Sequence, residues 1–152
     1  MSITPIQAIR QILIDQRLAT DSPDEDWRCV LFRLPDGEGV RDNILAVVDL
    51  EYGVGDRYIS TGEIIAHPRI RIICRSTDYD EGCERMMRIS DILDRMTGFS
   101  VTVAGETVII HNISRNSGIV PHGQDATMRR HRFSLDYEIH LEESHARDNG
   151  QS

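Results

Sequence analysis

Lysine is absent from this chain of 152 residues: all 17 basic side chains are arginine, set against 25 acidic ones for a formal net charge of −8. Host codon bias is the simplest cause, but the consequence is physical, since a planar multi-donor guanidinium suits interfaces better than a flexible ammonium. A groove for bare nucleic acid carries surplus positive charge, so the acidic balance argues against one while leaving room for a local basic patch. No apolar run approaches the roughly 20 residues of a membrane helix, and the N-terminus lacks a charged-then-apolar signal pattern, so a soluble cytoplasmic protein is expected. Cys29, Cys74 and Cys83 are odd in number and form no C-x-x-C pair. They read as reduced, buried thiols rather than a disulfide framework or zinc knuckle.

Catalytic motifs are missing too. There is no G-x-S-x-G elbow and no P-loop, and Gly53-Val54-Gly55 lacks the third glycine and following helix of a phosphate cradle. The six histidines (His67, His111, His122, His131, His140, His145) show no H-x-x-x-H spacing on a helix. His131 and His140 fall on opposite faces of one strand and cannot share a metal. Asp21, Asp24, Glu25 and Asp26 lack the glycine rhythm of a calcium loop and read as a solvated turn. The expectation is no enzyme, no cofactor and no metal.

What is present is a clear element pattern. Thr4 as cap, Pro5 at the first position and Gln7 three residues on, followed by Ile6, Ile9 and Leu13, predict an amphipathic helix over residues 4–19. Strands are expected over 27–34, closed by Pro35, Asp36 and Gly37, and over 43–50. Residues 51–67 read as a long excursion, with a projecting hairpin around 57–65. Along 69–75, Ile70, Ile72 and Cys74 alternate with Arg69, Arg71 and Arg75. Asp78 with Glu81 opens a second helix carrying Tyr79, Cys83, Met86 and Leu93 on one face, with Gly98 as its stop. Its other face pairs Glu84 with Arg88 and Asp91 with Arg95 at i,i+4. A hairpin over 99–113 turns at Ala104-Gly105. Residues 114–128 read as a polar loop.

The last strand has the strongest alternation: His131, Phe133, Leu135, Tyr137, Ile139 and Leu141 against Arg130, Arg132, Ser134, Asp136, Glu138 and His140, one face buried and the other polar. With no repeated βαβ unit, the order implies an α+β fold. One mostly antiparallel sheet of four to six strands should carry both helices on one face. A single domain over 1–142 would leave 143–152 as a disordered tail.

The remaining signal is arginine. Arg69, Arg71 and Arg75 line one strand face, and Arg129, Arg130 and Arg132 crowd the entry to the last strand. Intramolecular pairing with Asp136, Glu138 or Glu63 is one outcome; contact with the acidic face of a neighbouring subunit is the other.

The run Pro68-Arg69-Ile70-Arg71-Ile72, the helix opening Ser76-Thr77-Asp78-Tyr79, and the loop Pro121-His122-Gly123-Gln124-Asp125 before the final strand from Arg129 to Leu141 form a recognisable set. Over residues 68–142 the chain resembles tail-terminator and minor capsid proteins of long-tailed bacteriophages. The stretch 53–62 has no counterpart in that resemblance. Its implication is a small subunit of a hexameric ring on the tail tube, which stops tail polymerisation and presents a surface to the head-side connector. Partners would be further copies of the chain, the tail tube protein and a connector or neck protein. Genomic DNA would only pass through the channel, helped by like charge, and no membrane or cofactor is involved. The location would be the tail-neck region of the virion, after assembly in the host cytoplasm. The interface residues implied are Arg129, Arg130, Arg132, Pro121, Gly123, Asp125, Arg57, Arg69 and Arg71. The alternatives are another neck component, such as a head-closure or tail-joining subunit, or a small ligand-binding domain or enzyme using His111, His122 or His131.

Overall fold

A capping box opens the first helix. Thr4 Oγ1 accepts from Gln7 N at 3.3 Å, and Gln7 Oε1 accepts from Thr4 N at 2.9 Å. Both donors are thereby satisfied where the helix itself offers no acceptor. Helix α1 spans Pro5–Asp15 in the computed structural model, whose described residues are 4–32, 34, 42–51, 56–57, 64–66, 68–124 and 129–142. It ends short of the expected residue 19 for a local reason. Arg17 takes a left-handed φ of 60°, so Leu18 N reaches back to Leu13 O at 2.9 Å and Arg17 N to Ile14 O at 3.0 Å. This is a Schellman stop carried by arginine at the position where glycine is the usual signal.

The chain continues through β1 (Arg28–Leu31), β2 (Ile44–Glu51), β3 (Asp56–Arg57), β4 (Ile64–Ala66) and β5 (Arg69–Ser76). Helix α2 (Tyr79–Leu93) is followed by β6 (Thr97–Val103), β7 (Glu106–Arg115), β8 (Val120–Gln124) and β9 (His131–Glu142). β9 is the spine. β5 pairs along its residues 131–138 and β4 at its end, while on its other flank β8 takes the first half and β7 the second. The order β1-β2-β5-β9 then leads through β7 to β6.

Two features correct the expected sheet. It is mixed, because β1 runs parallel to β2 while β2 pairs antiparallel with β5. Among the described residues it has nine strands, seven of them of four residues or more, rather than four to six. One added strand, β8, lies in the expected polar loop. Its five residues are all exposed, so it shows no burial alternation, and it holds both Pro121 and Gly123. Gly98 is not the stop of α2. It lies within β6 at φ 58°, while the helix closes through a tightened last turn in which Arg95 N bonds Ile92 O at 3.2 Å and Met96 N bonds Leu93 O at 3.2 Å.

The hairpin β6–β7 turns on Ala104 (φ 52°) and Gly105 (φ 85°), the two positive φ values that a tight two-residue turn needs to match strand twist. In the excursion, Asp56 pairs with Ile65 and Arg57 with Ile64. The remaining positions read there, Gly53, Gly55, Gly62, Glu63 and His67, lie outside the described residues, as do the turn at 35–37 and the tail 143–152.

Period-two alternation places Leu45, Val47, Ile70, Ile72, Cys74, Phe133, Leu135, Tyr137 and Ile139 in one buried cluster. Ile9 and Leu13 of α1 and Met86, Ile89 and Leu93 of α2 join it. Both helices therefore fill the same side of the sheet. α1 packs against β1 and β2 at one end of the strand path and against β6 at the other, so the sheet curls around it. On the opposite face Leu34, Ile44 and Ala46 form a smaller cluster with Val30, Val48 and Ile73 against it.

Candidate subunit-interface site

The face of β5 and β9 that the helices leave open carries the arginines. In register, Arg69 stands opposite Glu138, Arg71 opposite Asp136, Ile73 opposite Ser134 and Arg75 opposite Arg132. Arg71 grips Asp136 with both prongs, Nε to Oδ1 at 2.7 Å and Nη2 to Oδ2 at 3.1 Å. That hydrogen bond raises the guanidinium pKa above its ordinary value. The pair is part-exposed, 37% and 18% at the two side chains, so it adds little to stability and instead fixes where the guanidinium points.

β8 borders this face. His122 Nε2 lies 2.6 Å from Ser134 Oγ, and Arg71, Ile73, His122, Arg132 and Ser134 line a cleft of about 320 Å³. At the far end of β8, Gln124 Nε2 donates to the Arg129 carbonyl at 2.7 Å, and Arg129 itself takes φ 55° with its side chain exposed. The start of β9 packs against Tyr79 of α2, whose ring meets His131 edge-on at 5.4 Å and Phe133 at 5.0 Å.

Of the residues expected at an interface, Arg69, Arg71, Arg132, Pro121 and Gly123 fall on this face or on the adjoining strand. Arg129 marks the entry to β9. Arg130 differs from the expectation of an outward contact, being only 5% exposed. The backbone of Arg57 lies on β3; its side chain, and all of Asp125, fall outside the described residues. The His122–Ser134 contact was not foreseen. Its signal would have been the pairing of β8 with β9, which no local pattern announces.

Other chemistry is sparse. Among the described residues no group of three or more His, Cys, Asp or Glu gathers as a metal site, and no helix is long and apolar enough to cross a membrane. Burial pushes the Cys29 and Cys74 thiols up to about 12, which keeps them protonated and unreactive. Burial, and then the neighbouring Asp94 carboxylate, push the Tyr137 phenol up as well.

No curated protein matches the chain in sequence. Among solved structures, a chain of the "Virion of native gene transfer agent (GTA) particle" is similar at a TM-score of 0.44 and 12% identity, over 75% of this chain and 78% of that one. The family model described as bacteriophage tail terminator protein matches residues 12–142. That span runs from within α1 to the end of β9 and takes in the arginine-bearing face, so the chain belongs to the bacteriophage tail terminator protein family.

Proposed function

We propose that copies of this chain close into a ring of six on the end of a long phage tail tube, stop its polymerisation and present the surface to which the head-side neck attaches. The reading rests on the tail-terminator family match across residues 12–142, which makes the chain a structural component of a phage virion. What the subunit offers such a ring is a sheet held rigid by helices on one side and bearing directed charge on the other. Ring contacts of this kind are heterologous, joining one patch to a different patch on the next copy. The net charge of −8 suits a channel through which DNA slides without adhering.

The test is the mass of the purified protein by light scattering, across protein and salt concentration, with and without tail tubes. Six-copy rings, or a monomer that forms rings on added tubes, support the reading. A monomer that ignores tubes sinks it. Arg69→Glu combined with Arg129→Glu, both exposed positions, should abolish rings while leaving the monomer folded. Arg130 is a poor choice for that experiment, because burying a glutamate there would test folding instead.

A further inference from the structure

A strand with a neighbour on one side only offers a row of backbone donors and acceptors to any passing chain, and folded proteins blunt such edges with charge, proline, short length or side-chain cover. Among the described residues, β1, β3, β6 and β8 are the strands in that position. On β1, Cys29 N donates to Thr20 O at 2.9 Å and Arg10 Nε donates to Cys29 O at 2.8 Å, so its outer side is covered. β3 is two residues long and both are charged. β8 carries Pro121, and Gly123 at φ 88°. β6 has none of these devices. Its seven residues, Thr-Gly-Phe-Ser-Val-Thr-Val, include no charge and no proline, and Thr97, Gly98, Ser100 and Thr102 are exposed. Which backbone groups face outward follows from the turn. Val103 and Glu106 close the two-residue hairpin and exchange both hydrogen bonds, so alternation points Val101 and Phe99 toward β7 and the N–H and C=O of Ser100 and Thr102 away from it. Gly98, at φ 58°, leaves the extended conformation and ends the regular edge at Phe99.

We propose that this edge pairs with β6 of a second copy of the chain, antiparallel about a two-fold axis at Val101, and that the pair is the form of the protein free of the tail. The sequence of the edge is complementary to itself in that register. Ser100 stands opposite Thr102 of the second copy and Thr102 opposite its Ser100, and each of those pairs exchanges both backbone hydrogen bonds. On the core face Val101 meets Val101, and Phe99 meets Val103, an aromatic against a β-branched side chain. Phe99 and Val103 are only half-buried in one subunit, packed against the core but not closed over, so the added strand completes their cover. No like charges oppose one another anywhere along the contact. A single strand pair is a small interface of the transient kind. Being two-fold, it closes on itself and does not propagate, so it hides the edge without seeding fibres. The inference is independent of the ring reading, whose contacts are heterologous.

Sedimentation equilibrium on the protein alone tests this, with mass expected to rise from one copy toward two as concentration increases. Ser100→Pro deletes an N–H that β7 does not use, so the subunit should keep its circular dichroism while the dissociation constant of the pair rises by roughly tenfold or more. Ser100→Lys with Thr102→Lys, and separately Ser100→Glu with Thr102→Glu, set like charges across the axis, and each protein alone should stay monomeric. Mixed in equal amounts they should form a pair holding one of each, since every Lys then faces a Glu. A wild-type protein that stays monomeric when alone, whether or not it binds tail tubes, overturns the inference. So does an unchanged concentration dependence in Ser100→Pro, or failure of the charged proteins to associate when mixed. Should Ser100→Pro not fold, the charged proteins decide the question. Six-copy rings whose mass neither doubles nor responds to Ser100→Pro overturn the pair and leave the ring reading standing. A pair abolished by Ser100→Pro, with no rings even on tail tubes, supports the pair and removes the ring.

Discussion

Gly82 lies in the first turns of α2 directly above β9, and the closeness of that approach can be measured. A Cβ added there would sit 2.8 Å from Phe133 Cε2, 3.3 Å from Phe133 Cδ2 and 3.2 Å from Ser76 Cβ. Phe133 cannot swing aside, because it is 1% exposed and its ring is held against Tyr79 at 5.0 Å. Ser76 is fully buried as well. Alanine in place of a helical glycine gains about 1 kcal/mol in propensity, whereas forcing a methyl into a packed core costs about 1–3 kcal/mol. The overpacking wins by about 1 kcal/mol, which for a chain of this length lowers the melting temperature by about 3 °C. Gly82→Val should cost more, since β-branching adds its own helix penalty. Gly118→Ala is the control: no atom lies within 4 Å of its added Cβ, so its melting point should hold or rise slightly. In a Phe133→Leu background the Gly82→Ala cost should shrink, exposing the coupling directly. A Gly82→Ala melting point at or above wild type would show that α2 lifts from the sheet without penalty, and the packing argument would be wrong.

Alkaline pH should destabilise the fold. Below the ordinary thiol value of 9.0 both states keep Cys29 and Cys74 protonated; above it the unfolded chain loses those protons while the folded one holds them to about 12. Stability is therefore full below that value and falls across the interval by up to about 1.4 kcal/mol per pH unit for each thiol, and urea midpoints that stay flat from pH 8 to 10.5 would contradict it. Arg17→Gly should stabilise by about 0.5–1 kcal/mol by relieving the left-handed residue at the end of α1; a lower thermal midpoint would show the arginine to be held there by something else. Arg85 lies 4.6 Å over the Trp27 ring and donates to Leu18 O at 3.0 Å. Arg85→Met should cost about 1–2 kcal/mol and change the emission of Trp27, the chain's only tryptophan; an unaltered midpoint and spectrum would count against the contact.

Features that are local in sequence were legible in it. The start of α1 follows from Thr4, Pro5 and Gln7, the β6–β7 turn from Ala104-Gly105, and the faces of β5 and β9 from strict alternation. What escaped was either non-local or carried by an unusual residue. The parallel pairing of β1 with β2 depends on where a long connection returns, and β8 exists as a strand only because β9 offers it an edge. Arg17 ended α1 without the expected glycine, and Gly98 offered a glycine where no helix ended. The site divides in the same way. Alternation put the arginines on one face, but choosing Asp136 over Glu138 as the partner of Arg71 required the register between strands 65 residues apart.

The absence of lysine acquires a structural meaning once the arginines are sorted by surroundings. Arg10 Nε donates to the Cys29 carbonyl at 2.8 Å and ties α1 to β1. Arg85 lays its plane on Trp27 while still reaching the Leu18 carbonyl, and Arg71 engages both carboxylate oxygens of Asp136. A lysine ammonium could supply the charge in each case, but not a flat stacking surface together with an angled donor, nor two parallel hydrogen bonds. Arg75 and Arg130 are buried outright. These residues act as struts within the subunit, so the number of arginines on the sheet overstates the charge available to a partner. Arg69 and Arg129 are exposed, and Arg132 lines the cleft. Total charge is thus a poor guide to this face: the protein as a whole is acidic, while the guanidinium of Arg71 between β8 and β5 is already held in a fixed direction by Asp136.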